Sequence, residues 1–157
     1  MTNPAAVHGN FTIERRYPVA PDKVFAACAD PAIKKSWYAE SHTHEIKGFE
    51  SDFRVGGVER LTYQFGPDTP FPGVELTNDG VFQDIVDGHR IIIASRMAIA
   101  GRPISVALET IEIAEADGGT VLKCTFQGVF FEGSDGPVMR EQGWSDLLDR
   151  LGRSLAD

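Results

Sequence analysis

The sequence predicts an α+β domain in which one curved antiparallel sheet wraps around a long C-terminal helix, in the order β-α-α-β6-α. Three observations carry this. From residue 43 the hydrophobic pattern keeps period two for roughly ninety residues, broken only by turn signals. The connections are of hairpin length, which makes neighbouring strands antiparallel. The chain then closes on "REQGWSDLLDRLGRSLAD", where Trp144, Leu148, Leu151 and Leu155 recur at spacings of three and four and mark an amphipathic helix.

Each element has a local reason. Residues 1–9 read as a disordered lead-in and 10–157 as a single domain. "NFTIERRYPV" alternates as a first strand, with Phe11, Ile13 and Arg15 on one side. Pro21 suits a first helical position, and Val24, Phe25 and Cys28 form one face of the helix that follows. Asp30 can cap, and Pro31 can open, a second short helix. "THEIKGFESDFRVGG" reads as a strand turning at Gly56-Gly57, and "VERLTYQF" as its partner. "GPDTPFPG" is a Pro/Gly loop. "ELTNDGVFQDIV", "HRIIIASRMAI", "PISVALETIEI" and "TVLKCTFQGVFF" are the remaining strands, separated by "DG", "AGR" and "ADGG". "EGSDGP" supplies capping residues for the last helix.

Composition excludes several classes. Of 157 residues, 15 are Lys or Arg and 23 are Asp or Glu, a net charge of −8 with no basic run. That argues against nucleic-acid and anionic-membrane binding. No apolar stretch reaches the ~18 residues needed to span a bilayer, and the N-terminus lacks a secretory pattern. Cys28 and Cys124 sit among apolar residues and read as buried free thiols of a cytoplasmic protein, with a disulfide or reactive nucleophile as alternatives. No phosphate loop, dinucleotide fingerprint or nucleophile elbow is present, so no cofactor is expected.

The strings "FTIERRYPVAPDKVFAACADPAIKKSWYAE", "ESDFRVGG", "VFQDIVDGHRIIIASRM", "GGTVLKCTFQG" and "EQGWSDLLDRLGRSL" run in order over nearly the whole chain. In them the sequence resembles the START-like, Bet v 1-like (SRPBCC) helix-grip superfamily, and within it the group related to the heat-shock protein 90 ATPase activator domain. The resemblance implies a helix-grip fold with a cavity between sheet and last helix. Members of the group are widely labelled polyketide cyclase-like or ligand-binding. The co-chaperones of the group carry a further N-terminal domain; a free-standing domain is more like the bacterial members.

The candidate chemistry follows from parity. If Leu61 and Phe65 point into the concave face, Glu59 and Tyr63 do too. Glu109 shares parity with Ala107, Ile111 and Ile113, although Ile104, Val106 and Leu108 argue for the other side. Glu141 extends the helix stripe back from Trp144. Three carboxylates thus have a route to one cavity, where a raised pKa suits acid–base work. The alternative for each is an element end in water, or pairing with Arg54, Arg60 or Arg96. Trp37, Tyr63, Phe65, Phe82, Met97, Phe126, Trp144 and Leu148 are the bulky candidates for a ligand wall, with plain core packing as the other reading. Ser95, Ala107 and Gly128 are small and leave volume. Gly143 has two readings, close approach to the sheet or a helix bend that gates the pocket. His42 and His44 share a strand face, but two ligands do not complete a metal site, and a solvated loop is the alternative.

The expected function is binding of a small lipophilic or aromatic molecule, with Tyr63, Glu59, Ser95 or Glu141 orienting it. Alternatives are a cyclase- or dehydratase-like enzyme using Glu59, Tyr63, Glu109 or Glu141, and a chaperone-interaction module. Edge strands permit a homodimer.

Overall fold

Two successive left-handed residues, Asp117 (φ 49°) and Gly118 (φ 79°), join the last two strands. That backbone matches the right-handed twist of a hairpin, and it sits where the sequence places a turn. The computed structural model describes residues 5–156. Within them lie β1 (Val7–Tyr17), α1 (Pro21–Ala29), α2 (Pro31–Lys34), β2 (His44–Ser51), β3 (Val58–Phe65), β4 (Glu75–Val86), β5 (Arg90–Ile99), β6 (Arg102–Ala116), β7 (Gly119–Phe130) and α3 (Pro137–Leu155). A π-helical turn, Lys35–Ala39, continues α2. The order is the predicted one.

All strand pairs are antiparallel, in the spatial order β1-β7-β6-β5-β4-β3-β2. β1 and β2 are therefore opposite edges, and α1, α2 and the π turn carry the chain between them. Register shifts at Ile46/Gly48, Phe82/Asp84 and Met97/Ala98 mark bulges, which bend a sheet. The first strand starts earlier than expected. Val7, His8 and Gly9 pair with Phe130, Val129 and Gly128, so the expected lead-in is part strand. Its first four residues lie outside the described residues.

α3 buries Trp144, Leu148, Leu151 and Leu155 in the same core cluster as Phe11, Ile13, Val24, Leu122 and Cys124. Polar bonds fix its axis. Tyr17 Oη donates to the Leu148 carbonyl (2.8 Å), Arg15 Nη2 to Ser145 Oγ (2.7 Å), and Lys23 Nζ to the Leu155 carbonyl (2.9 Å). The helix start differs from expectation. The N-cap is Gly136, with no side-chain cap bond; Ser134 and Asp135 instead bond each other, and Asp135 turns to Arg140. α2 keeps its predicted cap, Asp30 accepting from the Ala32 and Ile33 amides.

Close approach of helix to sheet occurs at Gly152, where an added Cβ would lie 3.1 Å from the Tyr17 ring, and not at Gly143, which is exposed with nothing within 4 Å. The close-approach reading of Gly143 is thereby corrected. A helix-interior glycine in open space only loosens the unfolded chain, so Gly143→Ala will raise stability by about 0.5–1 kcal/mol in urea unfolding. A destabilised variant would mean that this helix position has a constraint beyond contact.

Candidate functional site

The floor of the concave face is one cross-strand row. Register pairs Glu59 with Gly80, Gly80 with Ser95, Ser95 with Ala107, and Ala107 with Gly128. Small residues in such a row were expected to leave volume. At two positions their neighbours take it. A Cβ on Gly128 would overlap the Phe126 ring, and one on Gly80 would overlap Ile93 Cδ1. Phe126, two residues earlier on the same strand, leans over Gly128, and Ile93 of the neighbouring strand leans over Gly80, so Gly128 makes room for Phe126 rather than for a ligand.

Ser95 has a different part. Its Oγ donates to Glu109 Oε1 at 2.8 Å. Glu109 is 7 % exposed, on the inward side with Ala107 and Ile113, which settles the two-way reading of β6. Burial raises its pKa above the ordinary carboxylate value; the Ser95 bond and the charges of Lys34 and Arg140 oppose this, and Glu59 adds to it. A group with a raised folded pKa holds its proton more tightly in the fold than in the unfolded chain. Its stabilising contribution is complete below the unfolded value and is lost as pH rises through the folded one. Glu109→Gln keeps the shape and the acceptor for Ser95, so it will be more stable relative to wild type at pH 8 than at pH 4. Urea unfolding at both pH values measures this, and a difference independent of pH would sink the assignment.

The second inward carboxylate is ion-paired. Glu59 accepts from Lys34 Nζ at 2.7 Å and from Ser51 Oγ at 2.8 Å. Lys34 also lies over the Tyr38 ring, 4.7 Å from its centroid. The Tyr38 hydroxyl accepts from Asn78 Nδ2 at 2.9 Å. Its pKa stands well above the ordinary value through burial, helped by Glu109 and Glu59.

The third expected carboxylate is absent from this interior: Glu141 is exposed. Arg140 is buried in its place. At 100° per residue, three residues before Trp144 falls about 60° to one side of the stripe and four before about 40° to the other. Periodicity does not choose between them. Tertiary partners do: Arg140 forks onto Asp135 (Nε–Oδ2 and Nη2–Oδ1, both 2.8 Å) and reaches Ser105 Oγ at 3.0 Å. Its guanidinium also lies 5.1 Å from the Phe130 ring centroid and 5.7 Å from that of Phe126. Burial alone would raise Asp135, but the bonds and charge of Arg140 bring it below its usual value.

The expected wall divides. Phe82, Phe126, Trp37, Trp144 and Leu148 are core residues; Phe126 stacks on Phe11 at 4.8 Å, Phe82 packs edge-on to Phe53, and Trp37 Nε1 donates to the Ala27 carbonyl. Tyr63, Phe65 and Met97 are only half-buried. Tyr63 stacks on His44 with centroids 3.9 Å apart, and its pKa is pushed up to about 12, chiefly by burial. His44 is thus a partly buried β2 residue, its Nε2 2.7 Å from the Ala39 carbonyl, rather than part of a solvated loop. Burial lowers its pKa, which the Ala39 bond opposes and Arg150 reinforces. Glu59 and the inward Ser95 and Glu109 are paired as described, so Arg54, Arg60 and Arg96 are not their partners. Both cysteines are free and buried; Cys28 is pushed up to about 11 by burial. Among the described residues no cluster of three or more His, Cys, Asp or Glu is arranged to hold a metal, and no helix is long and apolar enough to cross a membrane.

Lys34, Tyr38, Asn78, Ser105, Asp135 and Arg140 were missed by sequence reasoning. Asn78 was findable, since it shares parity with Leu76, Gly80 and Phe82. Lys34 had no signal, because its partner lies 25 residues away on another element. Two surface clefts lie outside this interior. One, of about 450 Å³, is lined by His42–Glu45, Gln64–Pro67, Pro72 and Gly73; the other, of about 320 Å³, lies around Glu50–Asp52 and Gly56.

Comparison with known proteins bears on this arrangement. Residues 18–156 match the family model described as activator of Hsp90 ATPase homolog 1-like protein. A solved structure from Rhizobium loti is 41% identical, with a TM-score of 0.85 over 96% of this chain and 99% of that one. An uncharacterized protein from Rhizobium leguminosarum is 33% identical, with a TM-score of 0.89 over 99% of each chain. An AHSA1-like protein from Aeromonas hydrophila, 21% identical, shares the fold with a TM-score of 0.70 over 94% of this chain and 92% of that one. No curated protein matches the sequence.

Proposed function

Because the chain belongs to the activator of Hsp90 ATPase homolog 1-like family of helix-grip, START-like proteins, we propose that it binds a small, largely apolar molecule between the concave sheet and α3. The observation that carries this reading is an incomplete closure. Ile46, Phe49, Tyr63 and Leu147 belong to the core side yet stay only partly buried, and the same interior encloses the polar groups Ser95, Glu109 and Arg140. α3 packs on β1, α1 and the π turn, and the unfinished apolar surface lies at the β2–β3 end of the concave face and along Leu147 of α3. Such a surface with a few convergent polar groups is what small-molecule sites offer, and burying it against a ligand yields roughly 25 cal/mol per Å².

Native mass spectrometry of the freshly purified protein tests the reading. The expected result is a discrete additional mass that leaves on denaturation, or a raised melting temperature with aromatic or polyketide-like compounds. A clean protein mass together with no thermal response to such compounds would overturn it. Stimulation of a chaperone ATPase in place of binding would favour the interaction module instead.

A second reading has one observation behind it. Glu109 is a buried acid whose pKa is raised by burial, and Tyr63 is half-buried on the inward side of β3. Together they suit proton transfer at a carbon next to a carbonyl, as in a cyclase or dehydratase. Multiple turnover of such a substrate, abolished in Glu109→Gln, would establish it.

A further inference from the structure

We propose that Glu109 is a neutral carboxylic acid whose free oxygen donates a hydrogen bond to the carbonyl of the bound molecule, so that the ligand class is an uncharged, apolar ketone, ester or lactone. This rests on the interior-binding reading above and names the chemistry of that site.

The hydrogen-bond pattern says which oxygen of the neutral acid carries the proton. Ser95 Oγ donates to Oε1, so Oε1 is the acceptor and the hydroxyl of the neutral form falls on Oε2. A protonated carboxyl has one such donor. Among the described residues, the other buried acid, Glu59, has Lys34 as its cation, and the more exposed Asp135 has Arg140. Glu109 forms no ion pair. The surroundings leave none to spare. Lys34 from α2 and Arg140 from α3 face it but are already paired, Glu59 from β3 carries like charge, and Tyr38 and Cys124 from the π turn and β7 are held neutral by burial.

Oε2 also has somewhere to point. It makes no hydrogen bond, yet Arg150 Nε is the only fully enclosed side-chain nitrogen or oxygen without a partner among the described residues. Oε2 therefore borders space that a water-sized group enters. A neutral acid in an apolar surround is a strong donor that selects an acceptor. It offers nothing to an ammonium group and no cation to a carboxylate. A carbonyl on an apolar frame fits both the donor and the half-buried wall of Tyr63, Phe49 and Leu147.

The test compares 2-acetylnaphthalene with 2-isopropenylnaphthalene, which replaces the carbonyl oxygen by a CH₂ group of similar shape. Calorimetric titration of wild type at pH 6 is expected to show the ketone bound at least about tenfold more tightly, the scale of one buried hydrogen bond to a good donor. The preference will persist in Glu109→Gln, whose amide N–H replaces the acid O–H, and vanish in Glu109→Leu. It will also fade at high pH in wild type but not in Glu109→Gln. Equal affinity of wild type for the two probes would overturn the assignment while leaving interior binding intact. A preference that appears only on changing Glu109 to Gln would show the group to be ionised and overturn it too. Binding of neither probe, with a ligand-free native mass spectrum, would overturn both. The wild-type comparison needs no variant to fold.

Discussion

Lys34→Met will lower the free energy of unfolding by about 3–5 kcal/mol, the cost of leaving a buried carboxylate without its cation. The reasoning is local. Glu59 sits in the sheet floor with its side chain 5 % exposed, and the Lys34 side chain covering it is 13 % exposed. The Ser51 hydroxyl remains as a donor after the change, which holds the expected loss towards the lower end. The double variant Lys34→Met/Glu59→Leu removes both charges from an apolar surround, and replacing a whole buried pair is often neutral. It is expected to regain most of the stability lost by the single variant. Urea unfolding of the wild type, both single variants and the double variant provides the cycle. A Lys34→Met loss below about 1 kcal/mol, the scale of an exposed pair, would show that water reaches Glu59 and that the floor is not sealed there.

The second large effect concerns Phe126 and Gly128. Phe126 is fully buried, stacked 4.8 Å from Phe11 and 5.9 Å from Phe130, so Phe126→Ala will cost about 3–5 kcal/mol. Gly128→Ala will cost about 1–3 kcal/mol, because its methyl must displace an aromatic ring that has no free direction. The two changes are coupled by geometry. Once the ring is gone, the methyl added by Gly128→Ala fills part of the vacated space. The double variant will therefore be less unstable than the sum of the single losses by more than the ~0.5 kcal/mol scatter expected of independent sites. Strict additivity would mean that Phe126 does not occupy the space above Gly128.

The same residues show where sequence reading stops. Period-two alternation, the Asp30-Pro31 start of α2 and the Asp117-Gly118 turn are properties of short windows, because local backbone preference and side-chain direction act within a few residues. They determined the element order, the antiparallel sheet and the inward parity of Glu59, Leu61 and Tyr63. The candidate site was legible in part on the same ground: Glu59, Ser95 and Tyr63 were read on the concave side because strand parity leaves one alternative. Helix phase is less exact. Glu141 and Arg140 flank the stripe at nearly equal angles, and only the partners Asp135 and Ser105, brought up by the β7–α3 turn and β6, decided which one is buried. Gly128 looked like spare volume because a sequence gives residue sizes and not the direction in which the Phe126 ring leans. Lys34 was silent because an ion pair is made by position in space: α2 lies beside β3 only when β1 and β2 have become opposite edges of one sheet. By itself, then, the sequence determined what repeats over a few residues. Tertiary structure decided which charges meet, which glycines are filled and which acid stands without a cation, because those depend on elements far apart in the chain arriving at one place.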